Sequence, residues 1–121
     1  MAKYVDGFVL SVPKDKKDAY KKIAKEASAV WKKFGALQYM ECRGDDTTPP
    51  KVMFTFPKMA KTKEGEETWF SFIVYTSKTH RNQVNKKVME YFDKKYASKN
   101  MDMPFDMKRM AMGGFTVEVG F

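Results

Sequence analysis

Apolar residues recur along the chain with two different periods, and the switches between them outline a fold. In residues 3–12, KYVDGFVLSV, Tyr4, Phe8, Leu10 and Val12 fall on one face of a strand. Val5, Gly7 and Val9 make its other face largely apolar as well. Pro13 ends the ladder, and Asp15 and Asp18 put negative charge where the first turn of a helix favours it. Ala19, Tyr20, Ile23, Ala24, Ala27, Trp31 and Phe34 then return at three- and four-residue spacing. This broad stripe predicts a helix closed by Gly35 in a left-handed C-cap. Residues 36–43, ALQYMECR, read as a second strand, leaving through Gly44-Asp45-Asp46 toward the breaker Pro49-Pro50. Residues 51–66 carry the weakest pattern: VMFTF reads as a short strand, and KMAK after Pro57 as one helical turn. Residues 67–76, ETWFSFIVYT, form the clearest strand, apolar on both faces. Ser77 can cap a second long helix whose stripe runs through Val84, Val88, Tyr91, Phe92 and Tyr96. A loop over 97–106 and a last strand near 108–119 complete the order.

The order is β-α-β-β-α-β, the split arrangement of a ferredoxin-like α+β fold with a four-stranded antiparallel sheet. Two amphipathic helices cover only one face of such a sheet. The first and third strands are apolar on both faces, unlike a half-wet antiparallel sheet, so the second face needs a cover. The simplest cover is the same face of a second copy, giving a homodimer with a cavity or core between the sheets.

Composition narrows the class. The 121 residues have a one-domain length, and 43% apolar with 15% aromatic content is that of a folded chain. Cys42 is the sole cysteine, so no internal disulfide forms and a reducing, cytoplasmic setting is expected. MAKYVDGFVLSV lacks the basic start and long apolar region of a signal peptide, and no segment has membrane-span length. The formal charge is +8, but lysine outnumbers arginine 20 to 3 and lies mostly on the two helices among acids. Base-reading surfaces favour arginine, so solvated helix faces explain the charge better than a nucleic-acid partner does.

Four stretches stand in an order and spacing that resemble one family. They are YVDGFVLSVP, FGALQYMECRGDD, EETWFSFIVYTSK and the terminal MPFD-x-KRM-x-x-GGF. Together they resemble the YbaA-like bacterial proteins, domain-of-unknown-function family 1428, over nearly the whole chain. The resemblance implies a dimeric α+β barrel and no particular activity or cofactor. Similar proteins usually carry Trp where this chain has Arg43 and Gly where it has Met107. If Arg43 lines the inter-sheet cavity, the ligand would differ from that of relatives.

The chemistry-bearing residues are few. His80 is the only histidine, which excludes multi-histidine metal sites; no metal or cofactor is expected. On the bland reading it is a solvent-exposed residue in the first helical turn. By fold analogy with monooxygenases of the dimeric barrel superfamily, cofactor-free or haem-dependent, a helix histidine beside Tyr75 could be catalytic. Asp6 shares a strand face with Tyr4 and Phe8, and Glu41 shares one with Tyr39 and Arg43. A charge on such a face needs a partner, here Arg43 or Arg109, or a function in proton transfer. Asp6, Glu41 and His80 are therefore the catalytic candidates. Asp6, Tyr39, Glu41, Arg43, Trp69, Tyr75 and Arg109 are candidates for orienting a small apolar or aromatic ligand between the sheets. Arg43-Gly44-Asp45 reads as a turn, not an adhesion motif. The terminal methionines, Met101 and Met103 with Met110 and Met112, read as packing rather than as a soft-metal site. Asp106 is expected to pair with Arg109.

Overall fold

The computed structural model describes residues 2–97 and 102–121. Met101 and part of the loop expected over 97–106 lie outside them. Four strands, β1 (Tyr4–Pro13), β2 (Gln38–Arg43), β3 (Glu66–Tyr75) and β4 (Ala111–Thr116), form one antiparallel sheet in the order β2-β3-β1-β4. Helices α1 (Lys17–Lys33) and α3 (Lys78–Lys95) pack on one face, and a one-turn helix α2 (Phe56–Met59) lies in the β2–β3 connection. This is the ferredoxin-like α+β arrangement expected from the sequence. Among the described residues, no helix is long and apolar enough to cross a membrane.

The local signals act as their chemistry requires. Gly35 follows α1 at φ +106, its N–H bonding Lys32 O while that of Ala36 bonds Trp31 O, the paired closure of a Schellman end. Ser77 Oγ accepts from the His80 N–H to start α3. Gly44 N donates to Thr68 O at 2.8 Å, and a side chain at Gly44 would collide with that carbonyl. Arg43-Gly44-Asp45 is thus the turn out of β2.

Two expectations are corrected. VMFTF forms no strand: the proline pair, followed by Lys51 at φ +70, turns the chain before any ladder can begin. Thr55 instead caps α2, Oγ1 accepting from Lys58 N, and Lys61 at φ +51 follows its end. The final strand is also shorter than 108–119, because Asp106 caps a 3-10 turn over Met107–Arg109 and pairing starts only at Ala111.

Strand register assigns the faces. Rows Glu41–Ser71–Phe8–Met112 and Tyr39–Ile73–Asp6–Gly114 run across the helix-covered side. The opposite side carries Val5, Gly7, Val9, Met40, Phe70, Phe72, Val74 and Phe115. Residues 55–62 cover one end of it: Ser11 Oγ donates to Ala60 O, and Thr62 Oγ1 bonds both Ser11 and Thr68. Phe56 meets Phe70 edge-on at 5.9 Å. The rest stays open, with Met40, Phe70 and Phe115 exposed. The helix-side core falls into two clusters, one around Ile73, Tyr75, Val84 and Val88, the other around Leu10, Val12, Tyr20 and Trp69, with Phe8 against both.

Candidate functional site

Among the described residues, nothing fills the space between those two clusters. A cavity of about 860 Å³ opens on the helix side of the sheet, walled by Phe8, Ile23, Ala27, Trp31, Phe92 and Phe105 and floored by the β2–β3 row of Glu41 and Ser71. Its volume is that of a small-molecule site, and its walls are mainly apolar.

Glu41 is the polar centre of this floor. Tyr20 on α1 donates to Oε1 at 2.7 Å, and Tyr39 on β2 donates to Oε2 at 2.6 Å. The i, i+2 spacing of Tyr39 and Glu41 puts both on the same strand face, and the α1 stripe lowers Tyr20 onto the other oxygen. Burial, then the neighbouring Glu41 charge, pushes both phenols far above the ordinary 10.0 and keeps them protonated donors.

A second polar network lies toward the β1–α3 end. Arg81 Nε stands 3.2 Å from Asp6 Oδ1, and Nη2 donates to Tyr4 Oη at 3.1 Å while the guanidinium stacks over the Tyr4 ring. Trp31 Nε1 donates to both Tyr75 Oη and Asn85 Oδ1 at 3.1 Å. Tyr75 in turn donates to Asn85, and Asn85 Nδ2 donates to Asp6 at 3.4 Å. Burial and the Asp6 charge raise Tyr75 as well. This chain ties β1, β3, α1 and α3 together behind one wall of the cavity.

The structure sorts the sequence candidates. Asp6, Tyr39, Glu41, Trp69 and Tyr75 all face the helices, which corrects their expected place between sheets: the even-numbered face of β1 and its registered partners lie under α1 and α3. Of these, Tyr39 and Glu41 line the cavity, whereas Asp6 and Tyr75 belong to the second network. Trp69 is buried against Tyr20, ring centroids 5.1 Å apart. Neither carboxylate takes the expected arginine, since Asp6 pairs with Arg81 and Glu41 with two phenols. Arg43 sits half-exposed at the end of its row, 3.2 Å from Glu67, and is not among the residues lining this cavity.

Arg109 is likewise drawn away from a ligand. It binds both oxygens of Glu66 at 2.7 Å, Asp106 Oδ2 at 3.0 Å and Lys61 O at 2.8 Å, which engages four of its five N–H donors. The Asp106 pairing is as expected. His80 accepts from Thr76 N–H at Nδ1, 3.0 Å, so the neutral ring carries its proton on Nε2 and closes the turn into α3.

Sequence reasoning missed Tyr20, Ser71, Arg81 and Asn85. The signal for the α3 pair was available: Arg81 and Asn85 stand on the same apolar stripe as Val84 and Val88, where a polar side chain needs a buried partner.

Comparison with known proteins agrees with this architecture. The chain is 47% identical over 113 residues to the uncharacterized protein YbaA of Escherichia coli K12, covering 93% of this chain and 94% of that one, and equally to YbaA of Shigella flexneri. A crystal structure of a dimeric ferredoxin-like protein from an uncultured marine organism superposes over the full length of both chains with a TM-score of 0.55 at 11% identity. That likeness is one of fold. The model of DUF1428, a protein family of unknown function, matches residues 3–107, and the chain belongs to that family.

Proposed function

We propose that this chain is a cytoplasmic, homodimeric binding protein for a small, mainly apolar molecule, held on the helix side of each sheet. The observation that carries this reading is the cavity of about 860 Å³ that divides the core and has Glu41 on its floor. Apolar walls left facing solvent on this scale forgo the burial that close packing would give them, and a bound apolar molecule would restore it. The dimer is supported by the open sheet face and by the dimeric ferredoxin-like neighbour. A free, exposed Cys42 suits a reducing compartment. His80 is engaged in the turn into α3, so nothing specific favours the monooxygenase reading.

The test is thermal unfolding of the full chain with a panel of bicyclic aromatic compounds. A bound compound should raise Tm with concentration, and Ala27→Trp, which fills the cavity from α1, should abolish the shift. A panel without any shift, in a protein that Ala27→Trp also fails to stabilise, would sink the reading.

A further inference from the structure

Glu41 has hydrogen bonds but no counter-charge. Its two oxygens accept from Tyr20 and Tyr39, and among the described residues no lysine or arginine pairs with it. Neutral donors solvate a carboxylate without neutralising it, and a partly buried charge retains a cost until a cation arrives. The phenol protons already point at Glu41, so the floor offers an incoming group acceptors rather than donors: carboxylate lone pairs and phenolic oxygens. Both phenol protons are committed to Glu41, and the Ser71 hydroxyl on the same floor is hydrogen-bonded to Tyr20.

The charge of the walls points the same way. The chain as a whole is +8, yet the lining holds Glu26, Glu41 and Asp93 against Lys22 alone. Glu26 at the rim is answered by Lys95 and Tyr96 and Asp93 is exposed to solvent, which leaves Glu41 as the unanswered charge at depth. The aromatic rings around it, Tyr20, Tyr39, Trp31 and Phe92, present faces that attract cations.

We infer that the cavity selects an amphipathic organic cation, an apolar body filling the space and a primary or secondary ammonium meeting Glu41. This rests on the cavity-binding reading and specifies the charge of its ligand. The positive field of the chain as a whole repels such a molecule at long range, so the selectivity must come from the short-range contact.

Calorimetric titration of the wild-type chain at pH 7 with 1-naphthylmethylamine, 1-naphthalenemethanol and 1-naphthoic acid tests it, because the three share one skeleton. The amine should bind at least about tenfold tighter than the alcohol, with the acid weakest, a charge-assisted bond being about twice as strong as a neutral one. Glu41→Gln should bring the amine to within about twofold of the alcohol. Equal affinities, or a preference for the acid, would overturn the charge assignment while leaving the cavity reading standing. If none of the three binds, both fall. Should Glu41→Gln fail to fold, the rank order on the wild-type chain decides by itself.

Discussion

Arg109 meets Glu66 through a two-pronged contact, each guanidinium nitrogen 2.7 Å from its own carboxylate oxygen, and the pair locks the turn before β4 onto the start of β3. The side chains are only 13% and 12% exposed. The Arg109 hydrogen bonds hold the Glu66 carboxyl at about 2, against an ordinary 4.5. A depressed carboxyl contributes stability that is complete above its unfolded value and lost as pH falls toward its folded one. Arg109→Met should therefore lower stability at pH 7 by about 2–3 kcal/mol, with the gap to wild type narrowing as pH falls from 4.5 to about 2. Urea unfolding across that window measures it, and a gap that persists unchanged at pH 2 would contradict the assignment.

The Gly113-Gly114 pair divides two tasks. A methyl at Gly114 would stand 2.5 Å from Arg81 Nη2 and collide with the Tyr4 hydroxyl, two groups fixed by the Asp6 network. A methyl at Gly113 would rest 3.7 Å from the Phe115 ring, an ordinary contact. Gly114→Ala should cost about 2–3 kcal/mol by overpacking, whereas Gly113→Ala should stay within about 1 kcal/mol. Thermal unfolding of the two variants side by side discriminates them.

The strands and long helices were legible because period-two and period-3.6 patterns, Gly35 and Ser77 all speak locally. VMFTF was misread since its apolar composition favours a strand while Pro49, Pro50 and the backbone turn at Lys51 decide otherwise. The site was half legible. Alternation placed Tyr39 beside Glu41, but alternation alone does not say which face of a two-faced apolar strand the helices take. Tyr20 looked like one more stripe residue, because a phenol satisfies an apolar pattern and its hydroxyl declares itself only when Glu41 arrives from 21 positions away.

The tyrosines make the next prediction. Tyr20, Tyr39 and Tyr75 are held protonated by burial first and by adjacent carboxylates second. Their phenols ionise near 10.0 in the unfolded chain. Above that pH the unfolded state releases protons the folded state keeps, so stability falls as pH rises. Absorbance at 295 nm should show these three ionising only together with alkaline unfolding. Tyr39→Phe should remove one of them and loosen Glu41, costing about 1–3 kcal/mol.

The open face of the sheet yields the last prediction. Phe115 is 62% exposed and lies over Gly7 and Gly113, so its replacement disturbs little within one chain. In a sheet-to-sheet dimer it would sit in the buried seam, where an unpaired carboxylate is strongly disfavoured. Phe115→Glu should thus give a folded monomer of 14.1 kDa by light scattering, where the wild-type chain shows twice that mass. Met89→Glu is the matched control, since Met89 is 49% exposed on α3, on the other side of the sheet. Dissociation by both variants alike would move the interface off the open face, and a wild-type chain that is monomeric at every concentration would remove the dimer altogether.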